Sequence, residues 1–318
     1  MEKVKIAILD AATLGEDIDL SMFFKLGATD IYSLTERDAI VPRLLEKDVC
    51  IINKIRLDAF LLSQLPSLRL ICVAATGYDN IDIEYCRAHG IAVCNVAGYS
   101  ANSVSQLTLA MVLSASVHLP EYRAAVANGT YSAGNVQNIL SPVYHELAGK
   151  TWGIIGYGGI GKKVGDVAKA LGCRVIVHRR TPIQEEECVT LKELLERSDI
   201  LTVHIPLNEH TRGMIGKEEL AMMKDGAFLI NVARGAVTDE EAVACAVESG
   251  KLGFFGCDVY STEPMSAEHP FYRIRNRHNV CLTPHMAWGA YESRERCMNE
   301  IYHNIVSYYN GQTRNRIV

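Results

Sequence analysis

The hexapeptide Gly156-Tyr157-Gly158-Gly159-Ile160-Gly161 restricts this chain more than any other stretch of it. It follows an apolar run, Thr151–Ile155, and opens a helical pattern that reaches Leu171, after which a second apolar run covers Arg174–Val177. A G-x-G-x-x-G alone is a weak signal. Set between a strand and a helix, in a βαβ unit of this length, it is the mark of a dinucleotide-binding turn. Gly156 permits the tight turn, Gly158 lets the backbone approach a pyrophosphate, and Gly161 lets helix and strand pack closely. Gly159 and Ile160 open the helix, whose first N–H groups and positive dipole end face the phosphates.

A turn that selects NAD places an acidic side chain about 20 residues on, at the end of the second strand, to bond the ribose 2′-OH. Here that stretch reads His178-Arg179-Arg180-Thr181, with no carboxylate. Two guanidinium groups and a hydroxyl suit a 2′-phosphate, so NADP(H) is the expected cofactor, with NAD(H) possible. A solvated surface turn is the alternative.

Strand patterns alternate with helical ones along nearly the whole chain. In the first hundred residues strands are expected at Lys5–Leu9, Val49–Asn53, Leu70–Ala74 and Ala92–Asn95, with helices at Leu57–Leu65 and Ile83–His89. A long helix is expected over Ala101–His118. A second series of strands then covers Thr151–Ile155, Arg174–Val177, Leu201–Ile205, Ala227–Asn231, Phe254–Asp258 and Val280–Leu282, and a last helix spans Tyr291–Tyr309. This alternation predicts an α/β protein with two doubly wound parallel sheets. A length of 318 residues with 48% hydrophobic content suits two packed domains.

The composition excludes several classes. A net charge of -5 gives no basic footprint for nucleic acid. No apolar run reaches the ~18–20 residues of a membrane span. Met1-Glu2-Lys3 leads straight into a strand pattern, so no signal peptide is expected. The ten cysteines contain no C-x-x-C pair, which argues against a metal site and for reduced thiols in a cytoplasmic protein.

Three reactive side chains stand just past predicted strands: Arg234 in Asn231-Val232-Ala233-Arg234-Gly235, Glu263 after Cys257-Asp258, and His285 in Thr283-Pro284-His285. Ligands of open α/β sheets bind outside the carboxyl ends of the strands, so all three can meet one crevice. A 2-oxo acid needs a cation for its carboxylate, a proton donor for its carbonyl and a hydride source. Arg234, His285 and the dinucleotide supply these in turn, and Glu263 can hold the imidazole by its other nitrogen. Lys54 also follows a strand and reads either as a substrate ligand or as a solvated strand-end lysine. His204 and Pro206, at another strand end, read as lining the adenosine region.

With these motifs, and with A-T-G-Y-D-N-I-D at Ala75–Asp82 and T-P-H-M-A-W at Thr283–Trp288, the chain resembles the D-isomer-specific 2-hydroxyacid dehydrogenases over essentially its whole length. The resemblance implies that Arg234, Glu263 and His285 are catalytic. It implies that Ala75, Thr76 and Gly77 bind the substrate carboxylate through backbone amides, and that Thr108, Val232, Ala233, Asp258 and His285 join the glycine turn around the cofactor. It further implies a Rossmann domain, residues 101–286, inserted into a flavodoxin-like substrate domain of residues 1–100 plus 287–318. A homodimer joined through the helix near residues 101–119 is implied as well.

Within the family the chain most resembles the glycerate dehydrogenase (hydroxypyruvate reductase) branch, by Ile52-Asn53-Lys54, Ala74–Tyr78, Ser103–Gln106 and His285–Trp288. Ala75 and Gln106, where many members have Gly and Glu, fit that branch. Nothing follows Val318 that would suggest a long-type phosphoglycerate dehydrogenase. The expected reaction is hydride transfer between NADP(H) and hydroxypyruvate/D-glycerate or glyoxylate/glycolate. A dehydrogenase of a bulkier 2-oxo acid and a non-catalytic nucleotide-sensing protein are the alternatives.

Overall fold

The computed structural model describes residues 4–318, so Met1-Glu2-Lys3, on which the signal-peptide expectation rests, lie outside the described residues. The chain divides into two units, Met1–Ser100 with Trp288–Val318, and Ala101–Ala287. The boundary expected before Ala287 falls one residue later. The Ala287 amide donates to Asp258 at 2.9 Å, which ties this residue to the second unit.

In the first unit, β1 (Val4–Ile8), β2 (Gly27–Ile31), β3 (Val49–Ile52), β4 (Leu70–Val73) and β5 (Ala92–Cys94) form a parallel sheet in the order β2-β1-β3-β4-β5. The central strands are apolar at every position because both faces are covered. Ile6, Ile8, Val49 and Ile51 meet Cys297, Met298, Ile301 and Ile305 of the Tyr291–Tyr309 helix. Ala7, Leu9, Cys50 and Ile52 face Leu44, Leu61, Leu62 and Cys86 on the other side. The last helix is held by buried Asn304, whose amide donates to the Asn95 carbonyl at 3.0 Å. Beyond it, Ile317 donates to Val93 at 2.7 Å, so the tail returns along β5.

The second unit carries β6 (Thr151–Ile155), β7 (Arg174–His178), β8 (Glu187–Cys188), β9 (Ile200–Val203), β10 (Ala227–Asn231), β11 (Leu252–Cys257) and β12 (Val280–Leu282). Their order is β12-β11-β10-β9-β6-β7-β8, all parallel. Strand order reverses beside β6, the place where such sheets bind dinucleotides.

Departures from expectation have local causes. The helix expected over Ala101–His118 ends at Ser116, and a second runs over Leu119–Ala127. Pro120 has no N–H to continue the first helix and sits in the first turn of the next. The Leu57–Leu65 helix shrinks to Ala59–Leu62, because Asp58 caps it by accepting the Leu61 amide and Leu57 bridges to Ile81 instead. The strands expected at Leu201–Ile205 and Phe254–Asp258 begin and end earlier, so His204 and Asp258 stand in the loops beyond them.

Candidate active site

Three adjacent strand ends of the second unit bring the reactive side chains to one edge. In register, Asn231 pairs with Cys257 and Cys257 with Leu282. Arg234 therefore follows its strand by three residues and His285 follows its own by three. Asn231, fully buried, clamps the first turn: its side chain accepts from the Ala233 amide at 3.0 Å and donates to the Arg234 carbonyl at 2.9 Å. A methyl on Gly235 would stand 2.1 Å from the Tyr260 carbonyl carbon, so only glycine lets this turn lie against the Tyr260–Ser261 backbone. Half-buried Arg234 is steadied by a 2.8 Å bond to the Ala233 carbonyl.

Glu263 and His285 meet. The His285 Nδ1 lies 2.6 Å from Glu263 Oε2, while Glu263 Oε1 accepts the Tyr260 amide at 3.0 Å. A carboxylate on Nδ1 keeps the proton there and leaves Nε2 as the working nitrogen. The loop carrying His285 is organised by Asp258, 1% exposed, whose carboxylate accepts the Thr283 hydroxyl and the Met286 and Ala287 amides at 2.6, 2.9 and 2.9 Å. Burial pushes the Asp258 carboxyl above its ordinary range, and these three bonds oppose that rise. Asp258 is expected as a cofactor contact, and in the structure its carboxylate holds the loop that carries His285. The Tyr260 hydroxyl adds a further tie, donating to the Thr283 carbonyl at 2.9 Å.

The glycine turn has the shape a pyrophosphate needs. Gly156 has φ +88°, and a methyl there would stand 2.6 Å from the His204 carbonyl oxygen. A methyl on Gly161 would stand 2.2 Å from the Gly156 carbonyl oxygen, so helix and turn touch at that point. At Gly158 a methyl would meet nothing within 4 Å. That open side of the turn, at the start of the Gly159–Ala170 helix, is where backbone amides can receive phosphate. Ile160 is half-buried beside it. His204 is the orphan of the region: neither ring nitrogen has a partner among the described residues, and burial pushes the imidazole down to about 3. It is neutral, and offers a donor or acceptor to a ligand rather than a charge.

Arg179 is half-buried, and Arg180 and Thr181 are exposed. No carboxylate pairs with either arginine among the described residues, so both guanidinium groups keep their capacity for an anion. Val232 and Ala233 are buried and Pro206 is exposed. Thr108 is fully buried, its hydroxyl donating to the Val104 carbonyl at 2.8 Å, so its side chain is already occupied. A cavity of about 670 Å³ lies elsewhere in this unit, lined by Leu107, Met111, Asp199, Phe228 and Phe254. It sits at the amino ends of the strands, the wrong edge for a dinucleotide.

In the first unit the Lys54 side chain is exposed, and its amide donates to Asp10 at 2.6 Å. Asp10, 3% exposed, also accepts the Asn53 and Ile55 amides, which fixes the loop after β3. Its carboxyl is raised by burial against those bonds. Sequence reading missed this residue, whose signal is an acid just past a buried apolar run, Ile6–Leu9. In the next loop the Ala75 carbonyl accepts from Val96, and the Thr76 hydroxyl and carbonyl bond Val96 and Asn95. The amides of Thr76 and Gly77 donate to no group among the described residues, which leaves them to an anion.

A family model described as D-isomer specific 2-hydroxyacid dehydrogenase, NAD binding domain, matches residues 109–287. The chain is 33% identical over 317 residues to a hydroxypyruvate reductase of Blautia hydrogenotrophica, covering 97% of this chain and 98% of that protein. Its fold is similar to that of an acyclic imino acid reductase solved with NADPH and D-Arg (TM-score 0.88, 26% identity, 99% and 100% of the two chains). It is also similar to a D-lactate dehydrogenase of Aquifex aeolicus solved with NAD and lactic acid (TM-score 0.85, 28% identity, 96% of each chain).

Proposed function

The chain belongs to the D-isomer-specific 2-hydroxyacid dehydrogenase family, and from that premise we propose that it is an NADP(H)-preferring reductase of hydroxypyruvate or glyoxylate. The observation that carries this reading is the 2.6 Å His285–Glu263 pair, set beside the Arg234 turn at the carboxyl edge of a dinucleotide sheet. A non-catalytic nucleotide sensor has no use for an imidazole oriented by a carboxylate there.

The reduced nicotinamide supplies the hydride when bound. The residues of this chain do the rest. Arg234 binds the substrate carboxylate and polarises the 2-oxo group, its planar fork matching the carboxylate. His285 gives its Nε2 proton to the carbonyl oxygen as C2 receives the hydride, so the 2-oxo group becomes an alcohol; in oxidation it takes that proton back. Glu263 keeps the ring oriented by its bond to Nδ1. The Gly158 face and the first amides of the Gly159–Ala170 helix hold the pyrophosphate, and Arg179, Arg180 and Thr181 hold the 2′-phosphate. In the first unit, Lys54 and the backbone amides of Ala75, Thr76 and Gly77 are proposed as substrate-binding groups on the family resemblance.

The family hydroxypyruvate reductase supports the substrate, and the unpaired arginines support the cofactor. The ten free thiols and the absence, among the described residues, of a helix able to cross a membrane fit the cytoplasmic assignment we propose. A panel of 2-oxo acids, each assayed with NADPH and with NADH, tests the reading. The highest kcat/KM is expected for hydroxypyruvate or glyoxylate with NADPH. Preference for a bulkier acid would overturn the substrate, and preference for NADH the cofactor.

A further inference from the structure

The peptide that follows β7 is fastened at two points. At its base, Ile176 and Val177 pair with Glu187 and Cys188 of β8, and Glu187 accepts from Arg174 and Arg197 at 2.7 Å each. Nearer its tip, Glu186 turns inward until its side chain is 6% exposed. There it accepts the Tyr157 hydroxyl at 2.5 Å and pairs with the Lys169 ammonium. Tyr157 is the second residue of the glycine turn. Its ring crosses the Gly159–Ala170 helix at Gly165, where a methyl would stand 2.9 Å from the ring. Glycine at 165 is what admits that ring. Burial and the neighbouring acids hold the phenol above its ordinary range, so it remains a protonated donor. One hydroxyl thus joins the phosphate-binding turn to the peptide that carries Arg179, Arg180 and Thr181.

We propose that the Tyr157–Glu186 hydrogen bond is the latch that places the Arg179–Thr181 peptide for a cofactor 2′-phosphate, which makes both residues positioning groups for cofactor choice. The inference rests on the NADP(H) reading given above. Its physical basis is geometry and charge together. Glu186 lies seven residues from Arg179 in a run of three acids, Glu185–Glu187. Held by Tyr157 and Lys169, it is buried and paired with a cation. Released, it is an acid free to pair with the arginines or repel the phosphate they would bind.

Tyr157→Phe keeps the ring in the Gly165 notch and removes only the hydroxyl. Glu186→Ala cuts the same bond from the other end, so the inference does not depend on one variant folding. Dissociation constants for NADPH and NADH, taken by fluorescence titration of the full-length protein, give a readout independent of turnover. Each single variant is expected to weaken NADPH about five- to tenfold, the scale of one ordinary hydrogen bond, and NADH less than about twofold. The double variant should be no worse than the worse single one, since both break one contact. Equal weakening of both cofactors, or none, overturns the latch. A wild type that does not prefer NADPH overturns the cofactor reading and the latch with it. A wild type that prefers NADPH, unmoved by either variant, overturns the latch alone.

Discussion

His285 takes φ +52°, a left-handed conformation that residues other than glycine seldom adopt, and it does so while its ring reaches Glu263. The Asp258 bonds to Thr283, Met286 and Ala287 on both sides of it hold that backbone in place. Replacing His285 with Ala should lower kcat by ~10²–10⁴-fold, the usual worth of a positioned acid, and leave the cofactor dissociation constant nearly unchanged. A variant keeping more than about a tenth of wild-type kcat would assign the proton to another group. His204 makes a separate prediction, about pH and stability. Burial holds its folded-state titration near 3, whereas in the unfolded chain it takes a proton at about 6.5. The unfolded state therefore binds more protons as pH falls through that window, so the contribution is complete above about pH 6.5 and drains away toward 3. His204→Leu removes one such proton and an unpaired polar ring. Its urea midpoint should fall less steeply than the wild type's from pH 6.5 to 4, and parallel curves would show that the imidazole is solvated.

At the scale of elements, the glycine turn separates what holds the fold from what serves the ligand. Gly161 supports the packing, since a methyl would press into the Gly156 carbonyl. Gly161→Ala should cost ~1–3 kcal/mol of stability, read by denaturant unfolding. Gly158 faces open space with extended backbone, φ −89°, ψ −159°, that alanine accepts. Gly158→Ala should leave stability unchanged or raise it by ~0.4–1 kcal/mol, yet weaken cofactor binding about tenfold or more. Loss of both together at 158, or of binding alone at 161, would reverse these assignments. These elements were legible because their signal is local: the glycines, the N-V-A-R-G turn and T-P-H each carry it within a few residues. What was illegible is what depends on distant partners. β2 has a half-buried and exposed pattern at a sheet edge, and β8 is two residues long, so neither has a periodicity to read. Asp10 looks like an ordinary strand-end acid until the loop at 53–55 closes over it, and the resemblance names Asp258 without the bonds to 283–287 that the fold supplies. Tyr157 and Glu186 are 29 residues apart, and nothing in either segment announces the other.

On the scale of the whole molecule, the second unit exposes more apolar surface along one segment than a monomer needs. Leu119 and Val126 of the Leu119–Ala127 helix are 55% and 60% exposed, and the irregular stretch after it exposes Val136 at 67%, Leu140 at 72% and Val143 at 71%. Scattered apolar side chains on a surface are ordinary, but a run of this kind is a surface that a partner would cover. Tyr122 donates to the Pro142 carbonyl at 2.6 Å and its ring meets Tyr144 edge to face, so the stretch is fastened to that helix and its apolar side chains point elsewhere. The occupant we propose is a second copy of the same chain, as a two-fold pairing lets one patch cover its own counterpart. Sedimentation equilibrium should then give twice the 35.1 kDa of the chain. Leu140→Asp with Val143→Asp places two carboxylates where each copy must be dry, and a buried unpaired charge costs several kcal/mol. The double variant should sediment as a monomer over micromolar concentrations, while its far-ultraviolet circular dichroism stays that of the wild type, because neither side chain belongs to a core. A wild type that is monomeric, or a variant that remains dimeric, would leave this segment without the partner proposed for it.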